Sequence, residues 1–292
     1  MIYVRKLTLP DERAELRWIE SEKRTCFHTF YPFKIFPDKG LSELAFDGIT
    51  LLYGGNGSGK STLLNVLARK MNAYRYSEFN DAPFFDRYGE MCSVQCARMP
   101  DKSCVLTSDD VFDYVLNART VNEGIDEQRR ELVDRYMDVR RAAVSNRDIL
   151  RLKGMDDYER WRDTMEILSP KKSQSGYIKK RVASDVALYS NGETAMRYFL
   201  DRIDGDGLYL LDEPENSLSP RLQTELSAFL SDSARFYGCQ LVISTHSPFL
   251  LAMKGAKIYD LDSVPVTEKP WTELENVRAY FDFFKAHERE FF

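Results

Sequence analysis

No apolar run in the chain approaches the ~20 residues that a membrane-spanning helix requires. Membrane insertion is therefore not expected. The opening residues, Met1-Ile2-Tyr3-Val4-Arg5-Lys6-Leu7, lack the apolar centre of a signal peptide and read as a strand, so a cytoplasmic location is expected. The five cysteines are odd in number and irregularly spaced. Cys92, Cys96 and Cys104 lie close together, but no C-x-x-C pair or nearby histidine completes a zinc site. Reduced thiols are the expectation. A net charge of −5 gives no global signal for nucleic acid or an anionic membrane. Internal repeats and low-complexity linkers are absent as well. What remains is 292 residues, 43% of them hydrophobic, enough for one large core or two modest ones.

Against that plain background one stretch stands out: Gly54-Gly55-Asn56-Gly57-Ser58-Gly59-Lys60-Ser61, followed by Thr62. It has the form G-x-x-x-x-G-K-[ST], sits after the apolar run 49–53, and opens into a helical pattern at Leu63 and Leu64. Glycines let successive backbone N–H groups converge on a polyphosphate, and the helix start adds unpaired N–H groups. In such a loop Lys60 reaches the outer phosphates and Ser61 ligates Mg²⁺.

Residues 1–53 read as β-rich, with Pro10 ending the first strand and a second candidate at 41–46. Phe27, Phe30, Tyr31, Phe33 and Phe36 crowd between them, either as a core under a loop or with one ring stacking on a base. Residues 92–97 form a strand pattern carrying a polar Gln95. Ser108-Asp109-Asp110 stands ahead of an apolar helix as an acidic cap. Residues 126–162 are helical and heavily charged, with Ile125, Leu132, Tyr136 and Val139 as an apolar stripe. Between 129 and 181, fifteen Lys and Arg face nine Asp and Glu. Such a run is a solvated face or a surface for nucleic acid or an acidic partner.

Ser190 with Glu193 three residues on has the capping-box pattern. The runs 208–211 and 241–243 read as strands buried on both faces. The first ends in Asp212-Glu213-Pro214-Glu215, the second in Ser244-Thr245-His246-Ser247-Pro248. Ser219 caps a helix that starts at Pro220, and another strand covers 257–261. Ligands of open parallel sheets sit beyond the carboxyl ends of strands. If these strands are neighbours, the loop, Asp212-Glu213 and Thr245-His246 converge. Asp212 would then hold Mg²⁺ with Ser61, Glu213 would activate water, and His246 would sense the terminal phosphate.

The segments 54–61, 189–193, 208–215, 216–219 and 244–248 resemble, in this order, the Walker A, signature, Walker B, D-loop and H-loop motifs of ATP-binding-cassette ATPases. The wording Asp-Glu-Pro-Glu-Asn-Ser-Leu-Ser-Pro and Ser-Thr-His-Ser-Pro is similar to the soluble branch. That branch includes the RecF, SMC, Rad50 and overcoming-lysogenization-defect (OLD) type ATPases and small stand-alone bacterial ATPases. The resemblance implies an α/β fold: a P-loop NTPase head with a mostly parallel core sheet, an N-terminal antiparallel β subdomain and a helical lid. It implies one domain over 1–292, with the lid inserted at about 105–188 and a C-terminal helix at about 273–292.

It further implies ATP and Mg²⁺ as ligands and a homodimer closing head-to-tail on ATP binding, with Ser190 and Gly192 of one copy facing the nucleotide of the other. This signature has Tyr189 and Asn191 in place of the usual Leu and first Gly. The family's Q-loop glutamine, a further Mg²⁺ ligand, falls best on Gln95, though Ser108-Asp109-Asp110 can equally mark the lid entry. The implied work is DNA maintenance or phage defence. Control of a neighbouring effector (a nuclease or toxin) and service as a transporter's nucleotide-binding subunit are the alternatives.

Overall fold

Strands follow the two kinds of hydrophobic pattern in the chain, and each kind builds its own sheet. The computed structural model describes residues 1–23, 29–77, 82–145, 157–169, 173–182 and 191–292. In chain order these form β1 (Val4–Thr8), α1 (Glu12–Ser21), β2 (Glu43–Ala45), β3 (Ile49–Tyr53), α2 (Lys60–Lys70), α3 (Phe85–Met91), β4 (Ser93–Cys96) and β5 (Ser103–Thr107). Next come α4 (Ser108–Ser145), α5 (Tyr158–Leu168), α6 (Gln174–Lys179), α7 (Asn191–Arg202), β6 (Gly207–Asp212) and α8 (Pro220–Phe236). β7 (Cys239–Ser244), α9 (Pro248–Leu251), β8 (Lys257–Asp260), β9 (Thr267–Glu268) and α10 (Glu275–Ala286) complete the order.

The continuous apolar strands, edged by the short exposed β9, form a six-stranded sheet in the order β5-β6-β7-β3-β8-β9, parallel except for the β8–β9 pair. β3 and β7 are buried at every residue, as strands covered on both faces must be. Register matters here: Leu52 pairs with Ser244, and Asp212 pairs with Ser244 from the other side. The ends of β3, β6 and β7 therefore stand level. The partly exposed strands form a separate antiparallel sheet, β2-β1-β4.

Gln240 ties the two sheets together. Its Oε1 accepts from the N–H groups of Tyr3 and Val4, both at 2.8 Å. Its Nε2 donates to Val4 O (2.7 Å) and Asp47 O (3.1 Å). The side chain is fully buried, and both its oxygen and its nitrogen are hydrogen-bonded.

The chain divides into two units, one of Met1–Asp113 with Ser190–Phe292 and one of Tyr114–Tyr189. The resemblance places the start of the helical lid at about 105. In the structure residues 103–107 are β5, paired in parallel with β6, because Cys104, Val105 and Leu106 are buried in the main sheet. The second unit has a small core of Tyr136, Ile167 and Tyr177, with Leu132, Val139 and Ile178 packed on it. Part of its basic charge is internally paired. Arg181 reaches Asp163 at 2.8 Å and Glu166 at 2.7 Å, and Arg135 reaches Asp163 at 2.8 Å.

Residues 1–53 are not uniformly β-rich: α1 is capped by Asp11, whose carboxylate accepts from Ala14 N at 2.7 Å. Its apolar face is only Trp18, Ile19 and neighbours packed against the core, too short to show as a helical stripe. At α4 the cap is Thr107, ahead of Ser108-Asp109-Asp110. Thr107 Oγ1 accepts from Asp110 N (3.1 Å), and Asp110 Oδ2 accepts from Thr107 N (2.8 Å). This is a capping box with Asp in the third position.

Candidate functional site

Glycine at three loop positions permits the phosphate-loop turn. Gly54, Gly57 and Gly59 have φ of 155°, 80° and 101°. At Gly59 a β-carbon would meet Phe36 Cε1 at 2.9 Å, so the ring of a fully buried Phe36 backs the loop where α2 begins. At the other end Gly55 N donates to Asp262 Oδ2 at 2.6 Å. The loop and Thr62, with Tyr31, Ile35 and Glu213, line a cavity of about 460 Å³.

Lys60 is only 4% exposed. Its Nζ donates to Gly54 O (2.7 Å) and Gly55 O (3.2 Å), and lies 2.8 Å from His246 Nε2 and 3.6 Å from Glu213 Oε1. His246 Nε2 is in turn 3.2 Å from Glu213 Oε1. An ammonium has no lone pair, so the Lys60 contact needs an unprotonated Nε2, whereas a bond to Glu213 needs Nε2–H. One ring nitrogen thus chooses between the loop lysine and the strand-end glutamate.

The two acids after β6 differ in environment. Ser61 Oγ donates to Asp212 Oδ1 at 3.2 Å, and Ser244 Oγ donates to the same oxygen. Burial nevertheless dominates and holds the Asp212 carboxyl above its ordinary range. Glu213 goes the other way. The hydrogen bond with His246, then those from Asn216 and the Lys60 charge, outweigh burial and lower it to about 2. Asn216 Nδ2 donates to Glu213 Oε2 at 3.0 Å. Glu213 also sits at φ 48°, with its N–H donating to Ser244 O and Oγ, both at 3.1 Å. A non-glycine residue in the left-handed region is strained, and here the strain turns the carboxylate toward the loop.

A second, polar cavity of about 330 Å³ lies beside Ser61, Asp212 and Glu213. Its other walls include Tyr31, Asn65, Arg75, Thr107 and Asp109. Among the described aromatics of the proline-rich segment, Tyr31 is the ring that lines both cavities, with its OH 2.9 Å from Thr62 Oγ1. Phe33 and Phe36 are buried in the core, and Phe27 lies outside the described residues.

Gln95 is not part of this assembly. It is exposed on β4, opposite Lys6 in the antiparallel sheet, and lines neither cavity. A polar residue in a strand pattern signals a solvent-facing position as readily as a ligand. The segment 107–109, at the end of β5, stands beside Ser61 and Asp212 instead. Ser190 lies outside the described residues. Gly192 is in the first turn of α7, where a β-carbon would meet Leu222 Cδ1 at 2.8 Å and Ser217 O at 3.5 Å. It therefore packs on the 217–222 turn and lines neither loop cavity.

Comparison with known proteins gives this geometry a family. A family model described as "ABC transporter" matches residues 43–216, more than half of the chain. The chain belongs to the ABC ATPase family. A model described as "AAA domain, putative AbiEii toxin, Type IV TA system" matches residues 181–252. No curated protein sequence matches the chain. Among solved structures, the Pyrococcus furiosus Smc head domain bound to the C-terminal domain of ScpA aligns at 13% identity and a TM-score of 0.39. That alignment covers 98% of this chain and 100% of the other. The SMC head domain of Thermotoga maritima aligns at 14% identity and 0.41, covering 92% and 99%. As an ABC ATPase the protein binds and hydrolyses ATP. No helix among the described residues is long and apolar enough to cross a membrane.

Several site residues carry no motif of their own. Tyr31, Arg75, Asp262 and the 107–109 segment come from ordinary-looking stretches and reach the site through long-range packing. In the sequence Tyr31 is one of several crowded aromatics and the strand end at 107 leads into Ser108-Asp109-Asp110, whereas Arg75 and Asp262 carry no signal.

Proposed function

We propose that this ABC ATPase hydrolyses ATP with Mg²⁺, that Glu213 activates the attacking water, and that a second copy completes the site. The observation that carries the reading is the meeting of Lys60, Glu213 and His246, each pair within 3.6 Å, at the ends of β3, β6 and β7.

The donor set suits the ligand. The α2 N-terminus and Lys60 offer N–H groups and positive charge to phosphates. Ser61 and Asp212 offer two hard oxygens, as Mg²⁺ takes when phosphates and water supply the rest. Bound ATP·Mg²⁺ would supply a terminal phosphoryl group polarised by a divalent cation. Glu213, ionised at neutral pH and steadied by Asn216, accepts a hydrogen bond from the water and orients it. His246 partners Glu213 and Lys60 across the same space.

Glu213→Gln is expected to bind ATP with near-normal affinity and lose turnover by about 100-fold or more. Wild-type steady-state hydrolysis in that variant would remove Glu213 from the role. For the process driven, DNA maintenance or defence is supported by the soluble-branch wording of the motifs and the basic stretch in 129–181. Duplex DNA is then expected to stimulate hydrolysis, with the effect fading as salt rises. Absence of stimulation at low salt would favour control of a partner effector, a reading supported by the toxin–antitoxin description of the model matched at 181–252.

A further inference from the structure

The backbone of His246 is gripped at both of its polar atoms by side chains from other parts of the chain. Its N–H donates to Glu215 Oε1 at 2.6 Å, and its carbonyl accepts from Asn276 Nδ2 at 2.9 Å. Glu215 Oε1 also takes Thr245 Oγ1 at 2.7 Å and Ser247 N at 3.1 Å. One carboxylate oxygen therefore gathers donors from three consecutive residues. The side chain is only 7% exposed, and Oε2 is buried with no hydrogen-bond partner among the described residues. A half-satisfied buried carboxylate is unfavourable for folding alone.

Asn276 comes from the first turn of α10, beyond both segments matched by family models. Its backbone N–H donates to Tyr53 OH at 3.2 Å, and Tyr53 is the last residue of β3 before the phosphate loop. Asn276 thus touches the strand that feeds the loop and the turn that carries the histidine. With its peptide held from both sides, His246 keeps only its side-chain torsions, and the ring's Nε2 stands against Lys60 and Glu213.

We propose that Glu215 and Asn276 are positioning residues that fix the His246 ring for hydrolysis, which makes the C-terminal helix part of the hydrolytic apparatus. The inference rests on the role given to His246 above. Both residues act through the backbone of His246.

The test uses the full chain, which has three histidines and so a simple imidazole spectrum. In ¹⁵N-edited spectra, Asn276→Ala and Glu215→Gln are each expected to move the His246 ring resonances and leave those of His287 in place. Turnover is expected to fall about 10- to 100-fold with the KM for ATP and the melting temperature retained. In a His246→Ala background, adding Asn276→Ala should change turnover by less than about twofold, because residues acting through one group are not additive. Unmoved His246 resonances in both variants, or full additivity in the double variant, would overturn the proposal. If Glu215→Gln does not fold, Asn276→Ala carries the test alone. Wild-type turnover in His246→Ala would sink the role of His246, while the spectra would still decide whether the grip exists.

Discussion

At the scale of single residues, the site holds charges the fold would rather not hold. Asp212 is buried, and burial raises its carboxyl above the ordinary value despite hydrogen bonds from Ser244 and Ser61. An acid whose folded pKa lies above its unfolded one is a net burden once the pH exceeds both. The burden is relieved as the pH falls through the folded value. Asp212→Asn should therefore melt at a higher temperature than the wild type at pH 7, and the advantage should shrink as the pH is lowered into the carboxylate range. Calorimetry at several pH values checks this; a variant less stable at pH 7 would contradict it. The same substitution should abolish Mg²⁺-dependent turnover, a stability gain set against function. Glu213 has the opposite linkage. Its pKa is depressed to about 2, so its contribution is present above the ordinary glutamate value and is lost as the pH falls toward 2. Asp212, Glu213 and His246 were legible as residues because each follows an apolar strand run. Their partners Asn216 and Asn276, and the grip of Glu215 on the His246 backbone, were not. Those depend on contacts such as Asn276 with His246, thirty residues apart in sequence and joined only by folding.

At the scale of elements, buried strands announced themselves and half-exposed ones did not. β3, β6 and β7 are continuous apolar runs because both faces of the parallel sheet are covered. β4 has one partly buried residue, Val94, so its sequence gave Gln95 the look of a candidate ligand when it is a surface strand position. α1 was hidden because its one fully buried residue is Glu15. The glutamate's Oε2 accepts from Lys34 N at 2.5 Å, and burial lifts its pKa. The join between the sheets was equally invisible, since it rests on side chains far apart in sequence: Gln240, and Tyr259, whose OH accepts from Ala45 N at 3.0 Å and donates to Ala45 O at 2.9 Å. Replacing Gln240 with Ala strands the N–H groups of Tyr3 and Val4 in the interior. Each unpaired buried donor costs about 1–3 kcal/mol, so the variant should lose about 2–6 kcal/mol in urea unfolding. A loss below about 1 kcal/mol would mean that β1 is held by its pairing with β2 and β4 and by packing, without need of Gln240.

At the scale of the whole molecule, the α7 start and the phosphate loop stand apart among the described residues. The α7 start carries Gly192, yet Gly192 packs on the 217–222 turn of its own chain and lines neither loop cavity. If that helix start meets a nucleotide, the nucleotide belongs to another copy. A two-fold dimer then holds two composite sites, each with the loop of one chain and the α7 start of the other. This has a consequence that a self-sufficient monomer cannot imitate. Lys60→Ala disables the loop and spares the α7 start, while Ser190→Arg does the reverse. Each variant alone should be inert. Mixed in equal amounts, half of the dimers are mixed and each contains one intact site, so about a quarter of wild-type activity should return. Turnover measured across mixing ratios, with ultracentrifugation to follow association in ATP, reads this directly. If the mixture stays as inactive as its parts while mixed dimers form, the composite site is wrong and the loop works with residues of its own chain.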